Sequence, residues 1–152
     1  MYDPNVKTAE KPDGKNQSET NSNDPLISHH TVSSYELDSF GHVNNANFLN
    51  FLEKARCDFM TQRGLHFNDF FQWRRYPVVT RADLHFKWPA KAGDRLQIKG
   101  WIAKHRPTGF TMQYEITVPD TGKLILTGET VHVFVDDNNR PSRIPQPFTD
   151  NF

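Results

Sequence analysis

The chain has 152 residues, 18 basic and 18 acidic side chains, and one cysteine, a length that suits one domain with a modest core. A lone Cys57 excludes an intrachain disulfide and a thiolate-rich metal site, and fits a reducing compartment as a structural thiol. Zero formal net charge gives no general nucleic-acid surface, so an anionic ligand must be met by a local patch.

In the first 25 residues only Met1, Tyr2, Val6 and Ala9 are apolar, too few to offset the entropy of ordering. Residues 1–26 are therefore expected as a disordered polar tail, 27–148 as one folded domain and 149–152 as a C-terminal end. The tail has neither the apolar core of a secretory signal nor the arginines of an organellar presequence. No later run approaches the ~20 apolar residues of a membrane span. The expectation is a cytoplasmic protein with no membrane and no nucleic-acid partner.

A first strand is predicted over Ile27–Leu37, ending at Asp38. Polar turn residues follow. Phe48, Phe51, Leu52, Ala55 and Phe59 then fall on one face at helical spacing, which predicts a helix of about four to five turns stopped near Gly64. The aromatic stretch 65–76 reads as a short helix or a flap, with Pro77 as a break. Val78, Thr80, Ala82, Leu84, Phe86 and Trp88 alternate with other residues as in a strand, and Pro89–Asp94 turns the chain. Strands over Arg95–Ala103, Phe110–Val118 and Leu124–Val135 complete the order, with short loops between them that favour antiparallel neighbours. One strand, one long helix and four strands make an α+β protein, with an antiparallel sheet covered on one face by a helix.

The segment Asp38-Ser39-Phe40-Gly41-His42-Val43-Asn44-Asn45-Ala46-Asn47-Phe48 concentrates the chemistry. A strand delivers a carboxylate into a polar turn at the mouth of an amphipathic helix, where backbone N–H groups lack helical partners and favour negative charge. Such a pair can attack a carbonyl, or direct water at it, and hold the developing oxyanion. An ordinary cap or Asx turn uses the same residue types, and Asn44 and Asn45 also suit left-handed turn positions. His42 is a supporting candidate. Glu53 and Arg56, at i,i+3 spacing, read as an ion pair on the helix surface, with Glu53 as the reserve acid. The scattered histidines and carboxylates have no metal-ligand spacing.

This order resembles the hotdog fold, a curved five-stranded antiparallel sheet wrapped around a long helix. The motif Asp38-x-x-Gly41-His42-Val43-Asn44-Asn45-x-x-Phe48, with Glu53-x-Ala55-Arg56 after it, resembles the 4-hydroxybenzoyl-CoA thioesterase family. The resemblance covers roughly residues 28–148, including the closing Val135-Asp136 and Arg140–Pro145. It implies hydrolysis of an acyl-CoA to free acid and CoA, with Asp38 as nucleophile or general base and the Asn45 N–H as oxyanion donor. CoA is then substrate, with no further cofactor.

Lys104, His105, Arg106 and Thr108, in a turn between strands, are candidates for the CoA phosphates, and Asn44 for substrate contact. Arg74, Arg75, Arg140 and Arg143 are weaker ones. The resemblance also implies a homodimer or homotetramer whose sites use both subunits. The turn is similar to the Asp-x-Asn-x-His segment of plant-type acyl-ACP thioesterases, but Phe40 replaces the middle Asn. A non-catalytic acyl-CoA or acyl-carrier binding module and a hotdog dehydratase are the other readings of the same residues.

Overall fold

The computed structural model describes residues 24–152. Most of the expected polar tail lies outside the described residues. Five strands, β1 (Leu26–Thr31), β2 (Tyr76–Phe86), β3 (Arg95–Arg106), β4 (Gly109–Val118) and β5 (Lys123–Val135), form one antiparallel sheet in the order β1-β3-β4-β5-β2. Helix α1 (Asn45–Gln62) lies over the β1 and β3 side, and short helices α2 (Phe67–Trp73) and α3 (Gln146–Asn151) close the ends. This is the α+β, hotdog-type arrangement expected from the sequence.

The helical face holds residue by residue: Phe48, Phe51, Leu52, Ala55 and Phe59 are the buried side chains of α1. They meet the inward face of the sheet, where Leu96, Ile98, Tyr114, Ile116 and Phe134 are almost inaccessible. Phe59 needs a gap in that face. Gly100 provides it, because a Cβ there would sit 2.4 Å from the Phe59 ring. The stop also falls where expected, with Arg63 as C-cap and Gly64 at φ +74°.

Several boundaries differ. The first strand starts at Leu26 and ends at Thr31, and Ser34–Glu36 is a 3-10 turn rather than more strand. Ser33 and Glu36 form a reciprocal capping box there, which competes with extension of the ladder. Pro77 does not break the chain but sits inside β2, opposite Phe134. An edge strand tolerates this because one of its sides needs no backbone donor. The strand reading of β3 stops short, since Lys104, His105 and Arg106 continue the ladder and pair with Thr111, Phe110 and Gly109. The C-terminal end is helical from Gln146, and Phe148 is 2% exposed, packed against Phe110 and Phe134. Of the two readings of 65–76, the short helix is correct.

No helix among the described residues is long and apolar enough to cross a membrane. Gly100→Ala should cost about 1–3 kcal/mol in chemical denaturation, because the added methyl overpacks against Phe59. An unchanged midpoint would contradict the tight helix–sheet contact.

Candidate active site

The turn after the 3-10 segment is closed by a β-bridge between Leu37 and Val43. Within it, Asp38 N–H donates to the His42 carbonyl at 2.7 Å and Gly41 N–H to the Asp38 carbonyl at 3.1 Å. Gly41 stands at φ +78°, a conformation side chains disfavour. The turn is tied outward as well. Val43 N–H donates to the Ala90 carbonyl at 2.9 Å, while the Glu36 carbonyl accepts from Asn44 N–H at 2.9 Å and from Asn47 Nδ2 at 2.8 Å. The start of α1 is thereby pinned to the end of the 3-10 turn.

Asp38 Oδ1 accepts from Phe40 N–H at 2.8 Å and, more weakly, from His42 N–H at 3.3 Å. It is an Asx turn. Oδ2 has no hydrogen-bond partner among the described residues, so the local turn fixes the carboxylate and leaves one oxygen available. His42 reaches Asp38 through its backbone; its imidazole makes no bond to the carboxylate. Asn44 caps α1, its side chain accepting from Ala46 N–H at 3.0 Å, and its φ of −60° replaces the left-handed geometry that Asn suggested. Asn45 is the first helical residue, and its N–H has no partner among the described residues. It is one of the N–H groups that the first turn of an α-helix leaves without an intrahelical acceptor.

Asp38, His42 and Asn45 line one cleft of about 300 Å³. Phe86, Lys87 and Trp88, at the end of β2, form its far wall. Sequence reasoning passed over Lys87. Its alternation with Phe86 and Trp88 was visible, but only the sheet order carries that strand end to the turn.

The basic residues of the β3–β4 hairpin lie elsewhere. Lys104, His105 and Arg106 are exposed on the last part of β3, and Thr108 is half-buried in the tip, its carbonyl accepting from Phe134 N–H at 2.8 Å. The other end of β3 adjoins the Asp38 turn, and the 12-residue strand between spans roughly 35 Å at ~3.3 Å per residue. One chain does not bring hairpin and turn together.

A second, more enclosed cavity of about 210 Å³ lies against the C-terminal half of α1, near the start of β2. Its walls are mostly aromatic and apolar, including Phe59, Met60, Phe70, Phe110 and Phe148. At one side a polar chain enters it. Arg56 pairs with Glu53 as the spacing suggested, but only Glu53 is on the surface; Arg56, with 14% of its side chain exposed, turns inward. Its Nη1 donates to Tyr114 Oη at 3.1 Å, Tyr114 Oη meets Thr130 Oγ1 at 2.8 Å, and Thr130 Oγ1 meets His132 Nε2 at 2.7 Å. The His132 ring lies flat on Phe110, centroids 4.5 Å apart.

Burial, and secondarily the Arg56 charge, hold His132 down at about 3 from an ordinary value of 6.5. The folded imidazole stays neutral where the unfolded one takes a proton. Stability is therefore complete above about pH 6.5 and falls below it, by up to ~1.4 kcal/mol per pH unit, until the folded ring protonates. Urea denaturation at pH 7 and pH 5 should show wild type losing about 2 kcal/mol more than His132→Phe. Equal losses would mean that His132 is not buried as described.

The sequence matches the family model of the thioesterase-like superfamily over residues 32–152. It is 31% identical over 109 residues to the long-chain acyl-CoA thioesterase FadM of Escherichia coli, covering 69% of this chain and 79% of that one. It is 26% identical over 121 residues to the chloroplastic acyl-acyl carrier protein thioesterase ATL3 of Arabidopsis thaliana, covering 80% of this chain and 64%, just under two thirds, of that one. Among solved structures, the 1,4-dihydroxy-2-naphthoyl-CoA thioesterase Slr0204 from Synechocystis superposes with a TM-score of 0.77 at 22% identity, covering 84% of this chain and 94% of that one. The fold, the matched segment and the motif at the mouth of α1 agree: the chain belongs to the thioesterase-like superfamily and has its hotdog fold.

Proposed function

We propose that the protein hydrolyses acyl-CoA thioesters at the cleft where Asp38 and the mouth of α1 meet. The observation that carries this reading is that one cleft is lined by two residues with a group left without a partner among the described residues, Asp38 Oδ2 and the Asn45 N–H. A thioester carbonyl set against them has its oxygen on the Asn45 N–H, where the helix terminus favours negative charge. Asp38 then attacks the carbonyl carbon, expelling the CoA thiolate and leaving a mixed anhydride that water cleaves, or it takes a proton from water that attacks directly. Both routes give free acid and CoA. The 31% identity to FadM supports the reaction and the CoA carrier.

The acyl group needs an apolar site, and the aromatic cavity is the more apolar and more enclosed of the two. Within a chain it lies at the Tyr76 end of β2, while Asp38 lies at the Phe86 end. Among the described residues no strand lies beside the outer edge of β2, and Val78, Val79, Phe86 and Trp88 are exposed along or just beyond it. Such an edge is a template for pairing. In our reading two copies join antiparallel along β2 about a two-fold axis near its middle. The aromatic cavity of one copy then adjoins the Asp38 cleft of the other. The Lys104, His105, Arg106 and Thr108 hairpin, too far along its own chain, would meet CoA phosphates only across such an interface.

A second reading, with the acyl group presented on an acyl carrier protein, is favoured by the similarity to ATL3. Both carriers present the same thioester to the same carboxylate. Free-thiol release is the assay, run on CoA esters of varied chain length and on matched carrier-protein esters. Asp38→Asn should lower kcat by about 10²–10⁴-fold with substrate binding largely kept. A variant with near wild-type kcat would remove Asp38 from the mechanism, and absence of release from every ester, with binding retained, would favour a binding module.

A further inference from the structure

The segment that leads into the Asp38 turn has little core of its own. Ser34–Glu36 is a three-residue 3-10 turn in which Tyr35 is exposed and only Glu36 is buried. Its last residue nevertheless makes the contacts that place the site: the Glu36 carbonyl accepts from Asn44 N–H and from Asn47 Nδ2, and Asp38 follows two positions later. So short an element takes its position from its partners rather than from itself. For Glu36 those partners are on the sheet.

His30 Nε2 lies 3.0 and 2.9 Å from the two carboxylate oxygens of Glu36, and Ser33 N–H donates to one of them at 2.8 Å. A proton sits between imidazole and carboxylate whichever of the two carries it. The side chains are 18% and 10% exposed, so water competes little for the contact. His30 is in turn held on two sides. Its backbone pairs with the core residue Leu96 of β3, and its ring lies against Phe51, on the buried face of α1, with centroids 4.2 Å apart. One imidazole thus joins the sheet, the helix and the turn between them. His30, Glu36 and Phe51 all lie outside the lining of the Asp38 cleft.

We propose that His30 is a positioning residue for the Asp38 site: through Glu36 it fixes the turn that carries the carboxylate against the helix mouth that carries the Asn45 N–H. This rests on the reading of that cleft as the catalytic one. Without His30 the buried carboxylate loses its side-chain partner and is drawn toward water, taking the Glu36 carbonyl with it. The Leu37–Val43 bridge and the buried face of α1 remain, so what is lost is the register between carboxylate and donor rather than the fold.

Two substitutions separate these effects. His30→Leu keeps an apolar contact with Phe51 and removes the nitrogen, whereas His30→Gln returns an amide donor near the place of Nε2. Thiol release from an acyl-CoA should show kcat about 10–100-fold lower in His30→Leu, KM within about threefold of wild type, and most of the loss recovered in His30→Gln. A decyl-CoA thioether, which cannot be hydrolysed, should bind His30→Leu with the wild-type stoichiometry, so that the loss is not one of folded sites. Amide hydrogen exchange reads the tether without turnover: in His30→Leu the Asp38 and Asn44 N–H groups should exchange about tenfold faster or more, relative to amides inside β4 and β5. Acceleration at Asp38 and Asn44 no greater than in those strands overturns the proposal, as does a kcat near wild type in His30→Leu or a His30→Gln no better than His30→Leu. Exchange as expected in a protein whose wild type releases thiol from no ester removes the hydrolase reading and supports the tether.

Discussion

The carbonyl of Glu36 holds the site together. It accepts from the Asn44 backbone and the Asn47 side chain at once, and so anchors the first turn of α1 to the end of the preceding segment. Glu36 is itself buried, its carboxylate accepting from Ser33 N–H and meeting His30 Nε2 at about 3 Å. Between this anchor and the Leu37–Val43 bridge, the residues from Asp38 to His42 have little freedom. The carboxylate is therefore presented by a turn that cannot drift from the helix mouth it serves. With Asn44 capping its neighbour and Asn47 reaching back, the Asn45 N–H is the donor left over.

The single chain is uneven in how it buries its sheet. β3, β4 and β5 are covered by α1 and the aromatic cluster around Phe148, whereas β2 is exposed along most of its length. Sheets seldom leave a long edge with valine and aromatic side chains open to water. The two cavities lie at opposite ends of that strand, and the proposed two-fold axis through it would bring unlike ends together. The proposed pairing along β2 would resolve both features with one contact, covering the edge and setting an apolar pocket beside each carboxylate.

Local patterns were legible in the sequence wherever one element decides its own fate. The buried stripe of α1 follows from helical spacing, the Gly64 stop from its conformational freedom, and the Asp38 turn from residues adjacent in the chain. What escaped was set by partners distant in sequence. Arg56 read as a surface ion pair because nothing local reveals that Tyr114, 58 positions later, accepts from it. His132 gave no signal as one alternating residue of a strand. Lys87 joined the site only through the order that puts β2 at the edge, and Phe148 was lost because its short helix takes its stability from Phe110 and Phe134 rather than from its own six residues.

The central claim is that a working site takes its carboxylate from one copy and its acyl pocket from another. Subunit complementation tests it most directly. Asp38→Asn removes the carboxylate and Met60→Trp fills the cavity, so each variant alone should be inactive toward a long acyl-CoA. Co-expressed in equal amounts, they should regain about a quarter of wild-type activity, since half of the randomly mixed dimers would hold one intact site of two. No recovery, in dimers shown by mass to be mixed, would place carboxylate and pocket in the same chain and contradict the account.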